Sequence, residues 1–149
     1  MIDSIRLYQP GSKILLITPP PVYLPKWGAH RNEQKRSQDR DVDETKRYRE
    51  CILKLAAAVQ IPVLDMWKVF FGSDGAYKES IAADPDMLCD GLHLGPKGND
   101  LLTQSFMELV AKEWPELRPD LLDEKVPWWD KVDAGSSDSI VQSLFNRSK

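Results

Sequence analysis

The chain has 149 residues, 42% hydrophobic and 29% charged, which supplies enough apolar material for one globular domain with a real core and too little length for several. Its formal charge of -3 and pI near 5.4 exclude the basic excess that draws a protein to nucleic acid or to an anionic membrane surface.

After a short, helix-compatible start, Lys13-Ile14-Leu15-Leu16-Ile17-Thr18 forms a continuous apolar run bounded by Gly11 and by Pro19-Pro20-Pro21. Apolar residues on both faces predict a buried parallel strand, which the prolines stop. Residues 22–38 read as polar and irregular. From Asp43 onward Tyr48, Cys51, Ile52, Leu55 and Val59 recur at helical spacing, predicting an amphipathic helix with that face toward a core. Pro62 ends it, and Ile61-Pro62-Val63-Leu64-Asp65 reads as a second strand. Strand, helix, strand in that order implies a right-handed parallel crossover.

Met66 to Phe71 is predicted to make one or two helical turns, closed by Gly72-Ser73-Asp74-Gly75, and a polar stretch then runs to Asp90. Pro96 opens a last helix whose inner face is Leu101, Leu102, Phe106, Leu109 and Val110, and Pro115 ends it. Beyond Pro115 the chain is rich in Pro, Asp, Lys and Trp and then in Ser. A tail is expected there, with Trp128 or Trp129 docked on the body and frayed residues after it. Cys51 and Cys89 stand in unlike settings and read as free thiols of a reducing compartment. The opening residues lack the basic start and apolar run of a signal peptide, so the cytosol is the expected location.

The chemistry concentrates in Asp90-Gly91-Leu92-His93. An Asp three residues before a His, bent around a glycine, can bring its carboxylate against one ring nitrogen. That contact fixes the tautomer, orients the ring and leaves the other nitrogen to accept a proton. The segment follows the second strand and precedes the last helix, a loop position suited to catalytic groups on a parallel sheet. The bland alternative is a turn in which Asp90 accepts backbone hydrogen bonds and His93 packs or faces solvent. His30 stands alone in a polar, charged stretch and reads as a solvated loop residue. Arg31, Lys35, Arg36 and Arg40 alternate with carboxylates as on a solvated face. No metal-ligand spacing is present and no cofactor is implied.

Two longer segments, Ile14-Leu15-Leu16-Ile17-Thr18-Pro19-Pro20-Pro21 and Asp90-Gly91-Leu92-His93-Leu94-Gly95-Pro96-Lys97-Gly98-Asn99, resemble the isoamyl acetate-hydrolysing esterase group of the SGNH (GDSL-type) family. The resemblance continues through the helix around Tyr48 to Val59 and through Val63-Leu64-Asp65-Met66-Trp67, covering about residues 1–114. It implies an α/β chain: the C-terminal part of a three-layer α/β/α, flavodoxin-like SGNH fold, holding two strands of the parallel sheet with flanking helices. It further implies a Ser-His-Asp triad in which His93 is the base and Asp90 the orienting acid, acting on a small-molecule ester of short-chain, acetate type. Residues 115–149 would be the tail.

The family's Gly-Asp-Ser, its second glycine motif and its Gly-x-Asn-Asp have no counterpart in this sequence. Gly72-Ser73-Asp74 has the letters in another order and reads as a turn, and Gly98-Asn99-Asp100 lies at a helix start. The chain therefore carries acid and base without nucleophile. Three readings follow: part of a working hydrolase, an inactive remnant or interaction module, or a half-site completed by another subunit. Two parallel strands alone leave a sheet edge open, so marginal stability or self-association is expected.

Overall fold

The computed structural model describes residues 1–122, 132, 135–137, 139 and 140. Trp128 and Trp129, and with them the expected docking of the tail, lie outside the described residues. Residues 1–113 form one compact unit and residues 114–149 a second. In the second, two short 3-10 turns, Pro115–Leu117 and Pro119–Leu121, each begin at a proline that pre-sets the helical φ.

The first unit is α/β. Helix α1 (Ile2–Tyr8) leads to strand β1 (Leu16–Ile17), which is followed by α2 (Leu24–Glu33), α3 (Val42–Val59), β2 (Val63–Leu64), α4 (Met66–Phe71), α5 (Glu79–Ala82) and α6 (Pro96–Glu113). The strands pair in parallel, Leu16 opposite Val63 and Ile17 opposite Leu64, so α2 and α3 make the crossover. Each strand is shorter than its apolar run because only these two residues find a partner. Residues 22–38, expected to be irregular, contain α2: Pro25 stands in its first turn, where a missing N–H costs nothing.

Helix α3 starts where the Asp41 side chain accepts from the Glu44 N–H at 2.9 Å, and ends at Gln60 in the left-handed region. Its packing differs from the expected face. The buried residues are Arg49 and Ala56, whereas Tyr48 is 65% exposed and Leu55 45% exposed. Of the apolar stripe, Tyr48, Cys51 and Leu55 are turned outward, whereas Ile52 and Val59 are half-buried. The core itself gathers Leu64, Met66, Trp67, Phe70, Phe71, Met87 and Leu88, with Leu15, Leu94, Leu101 and Leu109 packed against it. Burial of each such large side chain is worth roughly 1.5–3 kcal/mol.

Arg49 is buried because Asp65 meets it. Its Nε donates to Asp65 Oδ1 at 2.8 Å and its Nη2 to Oδ2 at 2.7 Å, a two-pronged pair joining α3 to the β2–α4 junction. The same carboxylate accepts from the Trp67 N–H at 3.2 Å, capping α4, and from Thr18 Oγ1 at 3.4 Å, while Thr18 Oγ1 accepts from the Met66 N–H at 2.9 Å. Burial alone would raise the Asp65 pKa; Arg49 outweighs it and holds the carboxyl below its ordinary range. Asp65→Ala leaves Arg49 buried without a counter-charge, so it is expected to destabilise the chain by about 3–5 kcal/mol in urea unfolding. A loss under 1 kcal/mol would show that the pair does not hold the crossover.

Candidate active site

The loop between α5 and α6 is closed locally before it reaches any other element. Leu88 and Leu94 form an antiparallel bridge, and the Cys89 N–H donates to the His93 carbonyl at 2.9 Å. Gly91, at φ +90, makes the bend. A side chain there would meet the Tyr23 carbonyl at 2.5 Å and the Trp27 nitrogen at 2.6 Å, so the glycine is also what lets α2 close on the loop. The Tyr23 N–H donates to the Gly91 carbonyl at 2.8 Å and fastens the two together.

Within this bend Asp90 divides its carboxylate. Oδ1 accepts from the backbone N–H of Leu92 at 2.9 Å and of His93 at 2.8 Å; Oδ2 lies 2.6 Å from His93 Nδ1. One carboxylate oxygen thus accepts from the turn backbone and the other contacts the imidazole. Partial burial pushes the Asp90 pKa up, but the hydrogen bonds from the His93 ring and from the two backbone N–H groups prevail and bring it down to about 2. Asp90 is therefore a carboxylate, Nδ1 is the protonated nitrogen that donates to it, and Nε2 is left as the acceptor. The imidazole is largely exposed, its side chain at 67%.

Leu92, between the two, joins Ile17, Thr18, Pro19 and Pro20 and the α3 residues Tyr48 and Ile52 in lining an open groove of about 900 Å³. The acid–imidazole pair thus stands beside the residues that leave the end of β1, and the uncovered stripe of α3 forms the groove's apolar wall.

His30 is not the isolated loop residue that its surroundings in sequence suggest. It lies on α2, its ring stacked on Trp27 at 5.4 Å and its Nε2 3.9 Å from Asp90 Oδ2. Trp27 in turn meets His93 edge-on at 5.9 Å and donates from Nε1 to Asp39 at 3.0 Å. The available signal was the spacing of Trp27, His30 and Gln34 on one helical face, obscured by Gly28 and by the polar residues around it. Lys35, Arg36 and Arg40 are exposed, as a solvated face requires, but Arg31 departs from that expectation: its side chain is only 15% exposed, paired with Asp39 at 3.4 Å and lying over the Trp27 ring. Ser73 lies in the turn that closes α4, and Asn99 spends its side-chain N–H groups on the carbonyls of Leu94 and Gly95. Cys51 and Cys89 are exposed free thiols.

No protein-family model matches the chain. It is 31% identical over 123 residues to an isoamyl acetate-hydrolyzing esterase 1 homolog of Bos taurus, covering 83% of this chain and 45% of that protein. The chain is a relative of these esterase homologues. Proteins of the same name from Homo sapiens and Mus musculus are 30% and 28% identical, over 83% and 89% of the chain. The chain spans a little under half the length of the curated relatives it matches.

The low pKa of Asp90 carries a stability consequence. A carboxyl whose folded value lies near 2, below its ordinary 3.8, stabilises the folded loop at every pH above about 4 and loses that contribution as pH falls toward 2. The contribution is on the order of 2 kcal/mol. Asp90→Asn is expected to be less stable than the parent at neutral pH, with the gap closing as pH falls from about 4 to about 2 in urea unfolding series. A gap independent of pH would mean that the carboxylate charge is not what the loop uses.

Proposed function

We propose that this chain supplies the acid and base of a carboxylic ester hydrolase of the SGNH type, acting on short-chain, acetate-type esters. The observation that carries the reading is the 2.6 Å contact between Asp90 Oδ2 and His93 Nδ1, with Asp90 held as a carboxylate and the ring largely exposed. Residues 1–114 would be the C-terminal half of the hydrolase domain and residues 115–149 its tail. The nucleophilic serine and the oxyanion donors would come from a segment outside this sequence, seated along the groove beside Leu92.

In that setting His93 Nε2 takes the serine proton as the hydroxyl attacks the ester carbonyl, and Asp90 stabilises the imidazolium through Nδ1. The same proton then passes to the leaving alcohol. Water clears the acyl-enzyme with His93 again as base. The chain alone lacks the nucleophile and is expected to turn over no ester.

The longest product of the same gene, assayed with a short acyl ester, tests this. Hydrolysis is expected, with kcat reduced by roughly 1000-fold or more in His93→Gln. Undiminished turnover in His93→Gln would remove the base assignment, and a product with neither Gly-Asp-Ser nor hydrolysis would favour the inactive remnant.

The uncovered stripe favours a second property, self-association of the isolated chain. Tyr48 and Leu55 on α3 and Ile17, 44% exposed on β1, present apolar surface beside an open sheet edge. In parallel pairing Leu16 bonds toward β2, so alternation turns the N–H and C=O of Ile17 to the open side. Sedimentation of the chain is expected to show concentration-dependent dimers or larger species, weakened by Tyr48→Lys. A monomer at all concentrations would refute it.

A further inference from the structure

Asp90 faces two imidazoles. Its Oδ1 is engaged by two backbone N–H groups, but among the described residues Oδ2 accepts only from His93 Nδ1 at 2.6 Å and lies 3.9 Å from His30 Nε2. His30 comes from α2, sixty residues earlier by its number, and is held near the carboxylate by two contacts of its own and by the packing of Trp27 on the loop. Its ring stacks on Trp27 with an interplanar angle of 27°, Trp27 is packed against Gly91 and His93, and Gln34 Nε2 lies 2.8 Å from His30 Nε2. With the Gln34 amide as donor, His30 Nε2 is the unprotonated nitrogen and cannot donate to Asp90.

We propose that His30 is a positioning residue for the acid–base pair. When its Nε2 takes a proton from solvent, it leaves Gln34 and donates to Asp90 Oδ2, which His93 Nδ1 then has to share. The only covalent change is the N–H bond formed on His30. The move needed is about 1 Å, the difference between the present separation of 3.9 Å and an ordinary charge-assisted hydrogen bond. The other charged groups around His30 do not satisfy its proton: Arg31 is cationic and already paired with Asp39 at 3.4 Å, on the same Trp27 ring.

The consequence falls on His93. A carboxylate divided between two donors orients the His93 ring less firmly, and a charged His30 opposes the imidazolium that His93 must become. The inference deepens the hydrolase reading and rests on it for its catalytic meaning, but its test needs no turnover.

The chain has two histidines, so imidazole nitrogen and N–H resonances can be assigned by single substitutions and followed with pH by NMR. On acidification His30 Nε2 is expected to change from an acceptor-type to an N–H-bearing nitrogen, and the His93 Nδ1 proton to move in two steps. His30→Phe keeps a ring on Trp27 but cannot take a proton, and His30→Gln keeps polarity without charge. Both are expected to abolish the second step in the His93 response. Asp90→Asn should abolish the His30 donor signature. If the His93 Nδ1 resonance follows the same course in the parent and in both His30 variants, or if the His30 signature survives Asp90→Asn, the proposal is overturned. Failure of ester hydrolysis would leave these resonances untouched, so the two ideas fail separately.

Discussion

The first unit is organised around the Asp65 carboxylate. It is met by Arg49 from α3, by Thr18 from the end of β1 and by the first turn of α4. A buried charge without partners would cost several kcal/mol, so these four donors are a condition of Asp65 being there at all. Arg49 gains a second support from the Trp67 ring, 5.4 Å away, and Gly75 leaves room for its guanidinium: a side chain there would lie 2.4 Å from Arg49 Nη2. The crossover helix, both strands and the core helix are thereby tied at one point.

From that point the constraint runs to the site through covalent chain and short contacts. Thr18 is fixed to Met66 and Leu64, so the three prolines after it leave β1 in a set direction. Val22 follows, its carbonyl accepting from the Tyr77 hydroxyl at 3.1 Å, and then Tyr23 fastens to Gly91. On the other side Gly95 and Gly98 allow α6 to start hard against residues 85–87: a side chain on either would lie 2.4 Å from a backbone carbonyl. The Asp90–His93 loop is therefore gripped from α2 and from the α5–α6 side while its histidine stays exposed.

Much of this was legible in the sequence where the determinants are local. The apolar runs at 13–18 and 61–65 give the strands, and the Pro96 start and leucine spacing give α6. Asp90 and His93 lie within one bend, so their contact could be anticipated from spacing alone. The failures share one cause. Nothing local marks Arg49 for burial until Asp65, 16 residues on, is brought against it, so periodicity alone puts the packed face of α3 on its apolar stripe. Likewise α2 has no apolar face to announce it; its useful face is Trp27 and His30, which meet His93 and Asp90 on a loop far along the chain. Local periodicity identifies a helix, whereas a buried or functional polar face is identified only by the distant group that satisfies it.

The same distinction explains how the acid–imidazole pair can be well formed on a chain with an open groove. The acid–imidazole geometry depends on contacts spanning two or three residues, strengthened by a loop bridge and by one glycine against α2. None of these requires further strands on the free side of β1. A nucleophile aligned on His93 Nε2 is different, because its position must be set relative to β1 and α3, where apolar surface is uncovered. Covering Tyr48, Ile17 and Leu55 would supply hydrophobic free energy for docking, and the same docking would bring the covering segment beside Leu92 and the exposed ring. Under the proposed hydrolase reading, assembly and alignment of a nucleophile would be one event, driven by the exposed residues that the isolated chain leaves open.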